Sequence, residues 1–438
     1  MSKRLFLLVS LLIIASMVLG ACGTTTTPAV TEAPYSCTDP IGCVEIGPTD
    51  PIHIAYLLVV AGPAAQLGVD SRNGVEIAID DAGGKILGHD IKFDGEDGGC
   101  SAEGGQASGT KLAADPTIVG VIGTSCSSEA RAALPLLDKA GFVMISSSNT
   151  APSLTTPDST DNYGTAYDRT AHNDNFQGTA AAEFAFTVLK VTKAATIHDG
   201  SLYADQLQNV FSTKFQSLGG TITEQTSVTI GQTDMSSVLA SIATGSPQLI
   251  YFPIFNPEGP FLIKQAKTTP GLEHAYLMGA DGLFSPDIAT GAGADIEGFL
   301  VSSPAVSGDA YIAFLDKYKA KFGTGPVNIF HAHAYDAFNI LKAAIEKVTV
   351  VDADGTLHIP RQALRDAVRN TVNFKGLTGT LTCNETIAVE GTNIKFPGDC
   401  SATGMAVWVY HDVPFEIFTS PEVVWIQGTG VIKEVTPP

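Results

Sequence analysis

The sequence predicts an α/β protein made of two doubly wound lobes, each with a parallel β-sheet covered by helices on both faces. Short apolar runs rich in β-branched residues show no alternation, which is typical of strands buried on both faces. Segments with apolar residues at helical spacing separate these runs, and this order favours a parallel sheet. The pattern occurs twice within 438 residues, a length sufficient for two or three domains.

The first unit begins at residue 52 and the second near residue 176. In the first, we predict strands at 52–60, 91–93, 118–122 and 142–145, with helices around 75–82, 104–114 and 128–139. In the second, we predict helices around 176–189, 210–218, 235–243 and 261–267, with strands at 194–197, 221–228, 249–255 and 275–278. Helices at 309–322, 330–348 and 361–370 follow, and then β-rich sequence. Because open parallel sheets bind ligands beyond the carboxyl ends of their strands, two facing lobes predict a binding cleft.

The charge composition excludes several classes of partner. There are 45 acidic and 25 basic side chains, a formal net charge of −20, and such a chain would be repelled by the phosphate backbone of nucleic acids. With 44% hydrophobic residues it is too apolar for a disordered acidic polymer. The low content of charged residues, 16%, favours a secreted globular protein.

The first 22 residues resemble the signal of a bacterial lipoprotein. Lys3 and Arg4 precede an apolar run over 5–18, shorter than the ~20 residues that cross a bilayer, and Leu-Gly-Ala precedes Cys22 as in a lipobox. The resemblance implies that residues 1–21 are removed and that Cys22 is acylated, which would anchor the protein outside the cytoplasm on a bacterial membrane. The mature chain, with 45 acidic and 23 basic groups, would carry −22. An ordinary secretory signal is the alternative.

Residues 22–51 are then expected to form a flexible tether with a small disulfide loop. Six cysteines remain after Cys22, an even number that favours disulfides outside the cytoplasm. Proximity along the chain favours the pairs Cys37–Cys43, Cys100–Cys126 and Cys383–Cys400. A zinc site is the alternative, but no C-x-x-C pair occurs and no histidine stands at zinc-ligand spacing from a cysteine, so we expect no metal site.

Hydroxyl-bearing residues follow two adjacent predicted strands. Ser127 lies in the 123–128 loop, which leads into a helix, and Ser148 and Thr150 lie in the loop after the next strand. Backbone N–H groups at a helix N-terminus, together with such hydroxyls, are suited to bind a carboxylate. The alternative is that these residues only cap helices.

One acid stands at the end of a strand in the second unit. Asp281 follows the predicted strand at 275–278 and precedes Gly282. A carboxylate facing a cleft would attract an ammonium group. A turn aspartate before glycine is the alternative.

These residues belong to an ordered series that resembles the periplasmic Leu/Ile/Val-binding proteins, the substrate-binding components of branched-chain amino-acid ABC transporters. The resemblance covers residues 52–385. It rests on Gly62-Pro63-Ala64-Ala65-Gln66-Leu67-Gly68, Cys100, Gly123-x-x-Cys126-Ser127-Ser128, Thr150-Ala151-Pro152, His198-Asp199-x-x-x-Tyr203, Pro257-Glu258, Met278-Gly279-x-Asp281-Gly282 and Tyr335. It implies the type I periplasmic binding fold, in which two Rossmann-like lobes are joined by a three-crossover hinge. The first lobe would comprise 52–169 plus 303–376, and the second 170–302 plus 377–438.

The resemblance also implies which residues bind the ligand. They are Ser127, Ser148 and Thr150 for its α-carboxylate, Asp281 for its α-ammonium, Tyr203 and Phe255 in the second lobe, and Leu67 and Phe330 as walls around its side chain. Leucine-binding members commonly carry glutamate where this chain has Asp281, and often an aromatic residue where it has Leu67. The long C-terminal extension with Cys383 and Cys400 is a further departure.

The resemblance therefore implies a lipid-anchored, monomeric binding protein that captures an amino acid, branched-chain or related, between two closing lobes. It would deliver this ligand to ABC permease and ATPase subunits, with no cofactor and no enzymatic activity. A receptor subunit that reports an amino acid, amide or small carboxylate to a signalling partner is an alternative. A hydrolase in the hydroxyl-rich cleft is another, but the sequence has no G-x-S-x-G nucleophile motif.

Overall fold

The computed structural model describes residues 35–384, 396–401, 404–417 and 419–438. The expected signal peptide, Cys22 and residues 22–34 of the expected tether lie outside these residues. Residues 35–51 are described, and they include a strand at Cys43–Ile46 that pairs with a later strand, so this part of the expected tether is folded. Among the described residues, no helix is both long and apolar enough to cross a bilayer. The predicted fold class is confirmed, because two largely parallel sheets are each covered by helices.

The strands and helices alternate through most of the chain. The strands are β1 (Cys43–Ile46), β2 (Ile52–Leu58), β3 (Lys85–Ile86), β4 (His89–Asp97), β5 (Ile118–Gly123), β6 (Val143–Ser146), β7 (Tyr167–Arg169), β8 (Lys193–His198), β9 (Thr221–Ser227), β10 (Leu249–Tyr251), β11 (Tyr276–Ala280), β12 (Leu300–Pro304), β13 (Val350–Val351), β14 (Leu357–Pro360), β15 (Phe374–Gly376), β16 (Gly379–Leu381), β17 (Met405–Val409), β18 (Glu422–Ile426) and β19 (Gly430–Val431). The helices are α1 (Ala65–Asp81), α2 (Ala102–Ala113), α3 (Ser127–Lys139), α4 (Asp174–Glu183), α5 (Leu202–Ser217), α6 (Ser236–Thr244), α7 (Glu258–Ala266), α8 (Pro286–Ala292), α9 (Asp309–Phe322), α10 (His331–Val348) and α11 (Arg361–Arg369).

The first lobe is built on a six-stranded sheet in the order β3-β4-β2-β5-β6-β7. Its strands run parallel apart from the short β3–β4 pairing. Every residue of β5 and β6 is buried, as expected for strands covered on both faces. The carboxyl ends of these two neighbouring strands therefore lie at one edge, where the loops with Ser127 and Thr150 begin.

The second lobe is built on an eight-stranded sheet in the order β19-β18-β17-β12-β11-β10-β8-β9. The five strands β8 to β12 run parallel, and β17 to β19 extend the sheet with antiparallel pairing. This antiparallel extension accounts for the β-rich sequence predicted near the C-terminus. Asp281 follows β11 directly, at the carboxyl edge of the parallel strands.

The predicted elements differ from the observed ones in a few places. The strand expected over 249–255 ends at Tyr251, and the helix expected over 176–189 is α-helical only to Glu183, continuing as a π-helical segment over Phe184–Val188. Strands β1, β3, β7, β12, β13 and β14 and helix α8 were not among the predicted elements. Helices α1 and α5 begin ten and eight residues before the predicted helices at 75–82 and 210–218. The long helices α9 and α10 lie within one residue of their predicted bounds.

The chain passes between the two sheets three times. It leaves the first sheet after β7, returns after β12, and enters the second sheet again at β17. The lobe division expected at residues 376 and 377 differs from this course, because Leu381, Cys383 and Cys400 are buried in the core of the first lobe. The hairpin of β15 and β16 thus belongs with the first lobe, and the second lobe resumes only at β17.

All three expected disulfides are present, namely Cys37–Cys43, Cys100–Cys126 and Cys383–Cys400. The first lies at the start of β1, which pairs with β14 in a small three-stranded sheet. The second joins the loop before α2 to the residue before α3, beside the Ser127 loop. The third holds residues 396–401 against the first lobe.

Candidate ligand-binding site

Ser127 is the first residue of α3, directly beyond the carboxyl end of β5. Its Oγ accepts a hydrogen bond from the backbone N–H of Ala151 at 3.2 Å, so the two hydroxyl-bearing loops are in contact. Because Ser127 Oγ only accepts in this bond, its proton can be donated to an anionic ligand. The positive end of the α3 dipole favours a carboxylate at the same place.

Ser148 lies in the same loop as Thr150 but has a different local role. Its hydroxyl donates to the carbonyl oxygen of Ser125 at 2.9 Å, and its backbone N–H donates to Ser146 Oγ at 3.2 Å. Both of its donors are therefore used within the protein. In this structure Ser148 joins the two loops rather than presenting a donor to the cleft, unlike the role that the resemblance implies.

Glu129 holds the Ser127 loop in place through hydrogen bonds to its backbone. This residue was not identified from the sequence. Its buried carboxylate accepts backbone N–H groups from Ser125 at 3.0 Å, Cys126 at 2.9 Å and Cys100 at 2.6 Å. Burial raises the pKa of Glu129 to about 7, although these three hydrogen bonds act to lower it. The available signal was the spacing of a capping box, with Glu129 three residues after the helix N-cap.

Asp281 provides a negative charge from the second lobe. The Tyr203 hydroxyl donates to Asp281 Oδ1 at 3.1 Å and accepts the backbone N–H of Gly282 at 3.2 Å. Both side chains are buried, with 3% of each exposed. Burial raises the pKa of Asp281 to about 6, and the hydrogen bond from Tyr203 opposes this shift.

Asp174 is a second buried acid in the site, and sequence reasoning missed it. It is the first residue of α4, and its backbone N–H donates to the carbonyl oxygen of Thr150 at 2.9 Å. Neither its carboxylate oxygens nor the Thr150 hydroxyl makes a hydrogen bond of good geometry, but the Thr150 hydroxyl lies close enough to the carboxylate to lower the pKa of Asp174. Burial raises the pKa of Asp174 well above its usual range, and the charge of Asp281 raises it further. An acid at a helix start usually indicates only a favourable dipole contact, so no local signal distinguished Asp174.

His172 lies beside the two acids. One ring nitrogen of His172 and one carboxylate oxygen each of Asp174 and Asp281 all lie within 4.8 Å of one another, and we call these three residues the acidic cluster. Burial lowers the pKa of His172 to about 4, so the ring is neutral. Its Nε2, 3.9 Å from Asp174 Oδ1, donates to Gln177 Oε1, because the amide nitrogen of Gln177 itself donates to Ser302. The nearest histidine nitrogen is thus not free to ligate a metal ion, and the cluster is better suited to a cation that carries N–H donors.

Apolar side chains surround these polar groups. The ring of Tyr203 packs on Phe255 with 5.0 Å between centroids, and the ring of Phe330 stacks on His172 at 6.3 Å. Leu67 and Phe255 line one narrow crevice between the lobes. The structure thus brings the predicted residues together in pairs, Tyr203 with Asp281 and Phe255, and Leu67 with Phe255, whereas Ser148 is directed into the protein.

Hydrogen bonds join the lobes across this cleft. The backbone N–H of Leu202 donates to Ser128 Oγ at 3.1 Å, linking the starts of α5 and α3. Two further bonds are Ser153 N–H to Gln206 Oε1 at 3.0 Å and Asn328 Nδ2 to the carbonyl oxygen of Phe284 at 2.9 Å. These contacts define a closed arrangement in which the acidic and hydroxyl-rich groups are shielded from water.

Known proteins of similar sequence and fold are solute-binding proteins. The leucine-, isoleucine-, valine-, threonine-, and alanine-binding protein of Pseudomonas aeruginosa is 29% identical over 309 residues, which cover 70% of this chain and 80% of that protein. The crystal structure of a leucine-binding protein from Thermotoga maritima matches with a TM-score of 0.71 at 24% identity, covering 82% of this chain and 96% of that one. A solute-binding protein from R. palustris in complex with benzoate matches with a TM-score of 0.67 at 18% identity, covering 89% and 98%.

At these identities the two solved structures establish the fold, which agrees with the two lobes and three crossings described above. The family comparison extends further along the sequence. A model described as a periplasmic binding protein matches residues 51–389, which is most of the chain. The chain therefore belongs to the periplasmic binding protein family.

Proposed function

We propose that this protein binds a free α-amino acid between its two lobes and delivers it to an ABC permease. The observation that supports this most directly is the pairing of two kinds of group at one place. A hydroxyl and a helix N-terminus at Ser127 are suited to a carboxylate, whereas Asp174 and Asp281 are two buried acids suited to an ammonium. Thr150 connects the two groups, because its carbonyl oxygen accepts the N–H of Asp174.

An aromatic carboxylate is the second candidate, since the R. palustris neighbour was solved with benzoate. Such a ligand could use the Ser127 side of the site. It has no ammonium, however, and would leave Asp174 and Asp281 buried without a cationic partner, which is costly. The acidic pair therefore favours the amino acid.

A calorimetric screen of the free amino acids with the purified protein tests this proposal. We expect one or a few to bind, with Ser127→Ala and Asp281→Ala each weakening affinity at least tenfold, or about 1.4 kcal/mol. Lys433→Ala is the control and should leave affinity unchanged, because Lys433 is an exposed residue after β19 whose side chain pairs with Glu422 at the surface. Absence of binding heat for every amino acid would contradict the proposal, and binding of benzoate that is indifferent to Asp281 would favour the second candidate.

The cellular setting that fits this function is the outer face of a bacterial membrane, where a monomer anchored through acylated Cys22 would present its ligand to permease and ATPase subunits. This rests on the lipobox-like sequence and not on the described residues. Metabolic labelling with palmitate should mark the wild-type chain and not Cys22→Ser. A chain that binds its ligand but supports no uptake, and instead alters a signalling partner, would favour the receptor alternative. We infer no enzymatic activity.

A further inference from the structure

Asp399 occupies an unexpected place for a residue near the C-terminus. It lies beyond residues 51–389 that the family model matches, yet only 1% of it is exposed. The backbone of its segment pairs with Arg169 at the end of the first sheet, through Arg169 N–H to the Gly398 carbonyl at 2.8 Å and Cys400 N–H to the Arg169 carbonyl at 2.9 Å. The Cys383–Cys400 disulfide fixes the same segment to the first lobe.

One oxygen of Asp399 holds a buried arginine that supports the Thr150 loop. Arg169 Nε donates to Asp399 Oδ1 at 2.6 Å, and neither side chain is appreciably exposed. Arg169 Nη1 donates to the carbonyl oxygens of Asn149 at 3.2 Å and Ala151 at 2.9 Å, and Nη2 donates to the Thr155 hydroxyl at 2.7 Å. These carbonyls belong to the residues on either side of Thr150, so the position of the ion pair determines that of Thr150.

The other oxygen of Asp399 reaches the acidic side of the site. Asn173 Nδ2 donates to Asp399 Oδ2 at 2.8 Å, while Asn173 Oδ1 accepts the backbone N–H of Asn175 at 2.9 Å and so caps α4. Asp174 is the next residue. The Asp399 carboxylate is thus hydrogen-bonded to Arg169, which supports the Thr150 loop, and to Asn173, which caps the helix that begins with Asp174.

We propose that Asp399 is a positioning residue that sets the separation between the carboxylate and ammonium sides of the ligand site. The inference rests on the proposed function. Arg169 cannot relax into water when its counter-charge is removed, because it is completely buried, and it would draw the Asn149 and Ala151 carbonyls with it. The C-terminal segment therefore contributes to ligand affinity without touching the ligand.

The test compares Asp399→Asn with a matched disruption of a second buried ion pair. Asp168 Oδ1 accepts a hydrogen bond from Arg369 Nε at 2.8 Å, and 0% of the Asp168 side chain and 9% of the Arg369 side chain are exposed. This side-chain bond does not reach the Thr150 loop. We expect both Asp399→Asn and Asp168→Asn to lower the melting temperature. Only Asp399→Asn should weaken amino-acid binding at least tenfold, while Asp168→Asn stays within twofold of the wild type. Equal affinities in the two variants would overturn the inference.

Two measurements keep the inference testable in other cases. If Asp399→Asn does not fold, Asn173→Ala keeps the ion pair and removes one link, and it should weaken binding with little loss of stability; unchanged affinity would contradict the inference. If the wild type binds no amino acid, the proposed function fails by itself. Amide hydrogen exchange then tests the positioning role of Asp399. Asp399→Asn should accelerate exchange of the backbone amides at residues 149–155 and 173–177 more than Asp168→Asn does. Equal exchange rates in the two variants would contradict the positioning role.

Discussion

Under the proposed function, two buried acids favour a ligand that carries a positive charge. Asp174 and Asp281 lie in one cluster, and among the described residues no lysine or arginine forms an ion pair with either acid, although the charge of Arg169 acts from a greater distance to lower the pKa of Asp174. A ligand without a positive group would leave both carboxyls to be neutralised by protons alone. A ligand with an ammonium can ionise them, so binding and proton release are linked.

We therefore predict that amino-acid binding weakens as the pH falls. The pKa of Asp281 is raised to about 6 by burial, and that of Asp174 is raised too, so both acids gain protons in weak acid. The ligand binds the ionised form, and its dissociation constant should rise up to about tenfold per pH unit below about 6 for each displaced proton. Calorimetry in buffers of different ionisation enthalpy would measure proton release. Binding without proton release between pH 5 and 7 would contradict this link.

In the unliganded protein the same acid contributes the opposite trend to stability. Because the folded state holds a proton on Asp281 more tightly than the unfolded chain does, the contribution of Asp281 to the free energy of unfolding should fall as the pH rises from 3.8 to about 6. Asp281→Asn should reduce this slope. The same sign applies to Glu129, whose pKa of about 7 extends the trend to neutral pH.

At the level of elements, the first lobe depends on a close contact between α1 and α10. A Cβ atom built on Gly74 would lie 2.1 Å from the carbonyl oxygen of His331, far inside van der Waals contact. The same helix carries Leu67 near its start, and α10 follows Phe330. This contact therefore also sets the distance between two walls of the site.

We predict that Gly74→Ala destabilises the protein although alanine favours a helix by about 1 kcal/mol. Forced separation of the helices typically costs about 1–3 kcal/mol or more, and thermal unfolding monitored by circular dichroism would measure the loss. Gly325→Ala is the control, because a Cβ there meets nothing within 4 Å. A melting temperature of Gly74→Ala at or above that of the control would show that the helices adjust without strain.

At the scale of the whole molecule, ligand affinity depends on how readily the two lobes close. Ser128 and Gln206 take part in hydrogen bonds between lobes, with Leu202 and Ser153 as their partners. A ligand that contacts both lobes stabilises the closed state by as much as it prefers that state. Interlobe bonds that do not involve the ligand shift the same equilibrium.

Removing both bonds, with Ser128→Ala and Gln206→Ala together, should favour the open state and weaken binding roughly tenfold, since each bond contributes about 0.5–1.5 kcal/mol. Small-angle scattering should show a larger radius of gyration without ligand. Gln248→Ala is the matched control, because Gln248 Oε1 accepts the backbone N–H of Thr192 within the second lobe only. If the control and the double variant bind alike, closure does not depend on these bonds.

The local pattern of the sequence determined most of the secondary structure and one part of the site. The spacing of apolar residues predicted the ends of α9 and α10 to within one residue, because the residues on the buried face of a helix recur every three to four positions. Ser127 and Asp281 could be proposed as ligand contacts from the sequence because Asp281 directly follows a buried parallel strand and Ser127 begins the helix after another, and ligands bind beyond the carboxyl ends of such strands. The disulfide pairs were also accessible, because each joins neighbours along the chain.

Only the tertiary structure decided which polar groups meet at the site and which direction each faces. Asp174 looks like an ordinary helix-start acid until the fold places it near Asp281, and Ser148 looks like a ligand contact until its hydroxyl is seen to donate to Ser125. Asp399 lies 230 residues from Arg169 along the chain. Such pairings arise from packing between distant segments, and burial then makes them energetically decisive, so no local periodicity could indicate them.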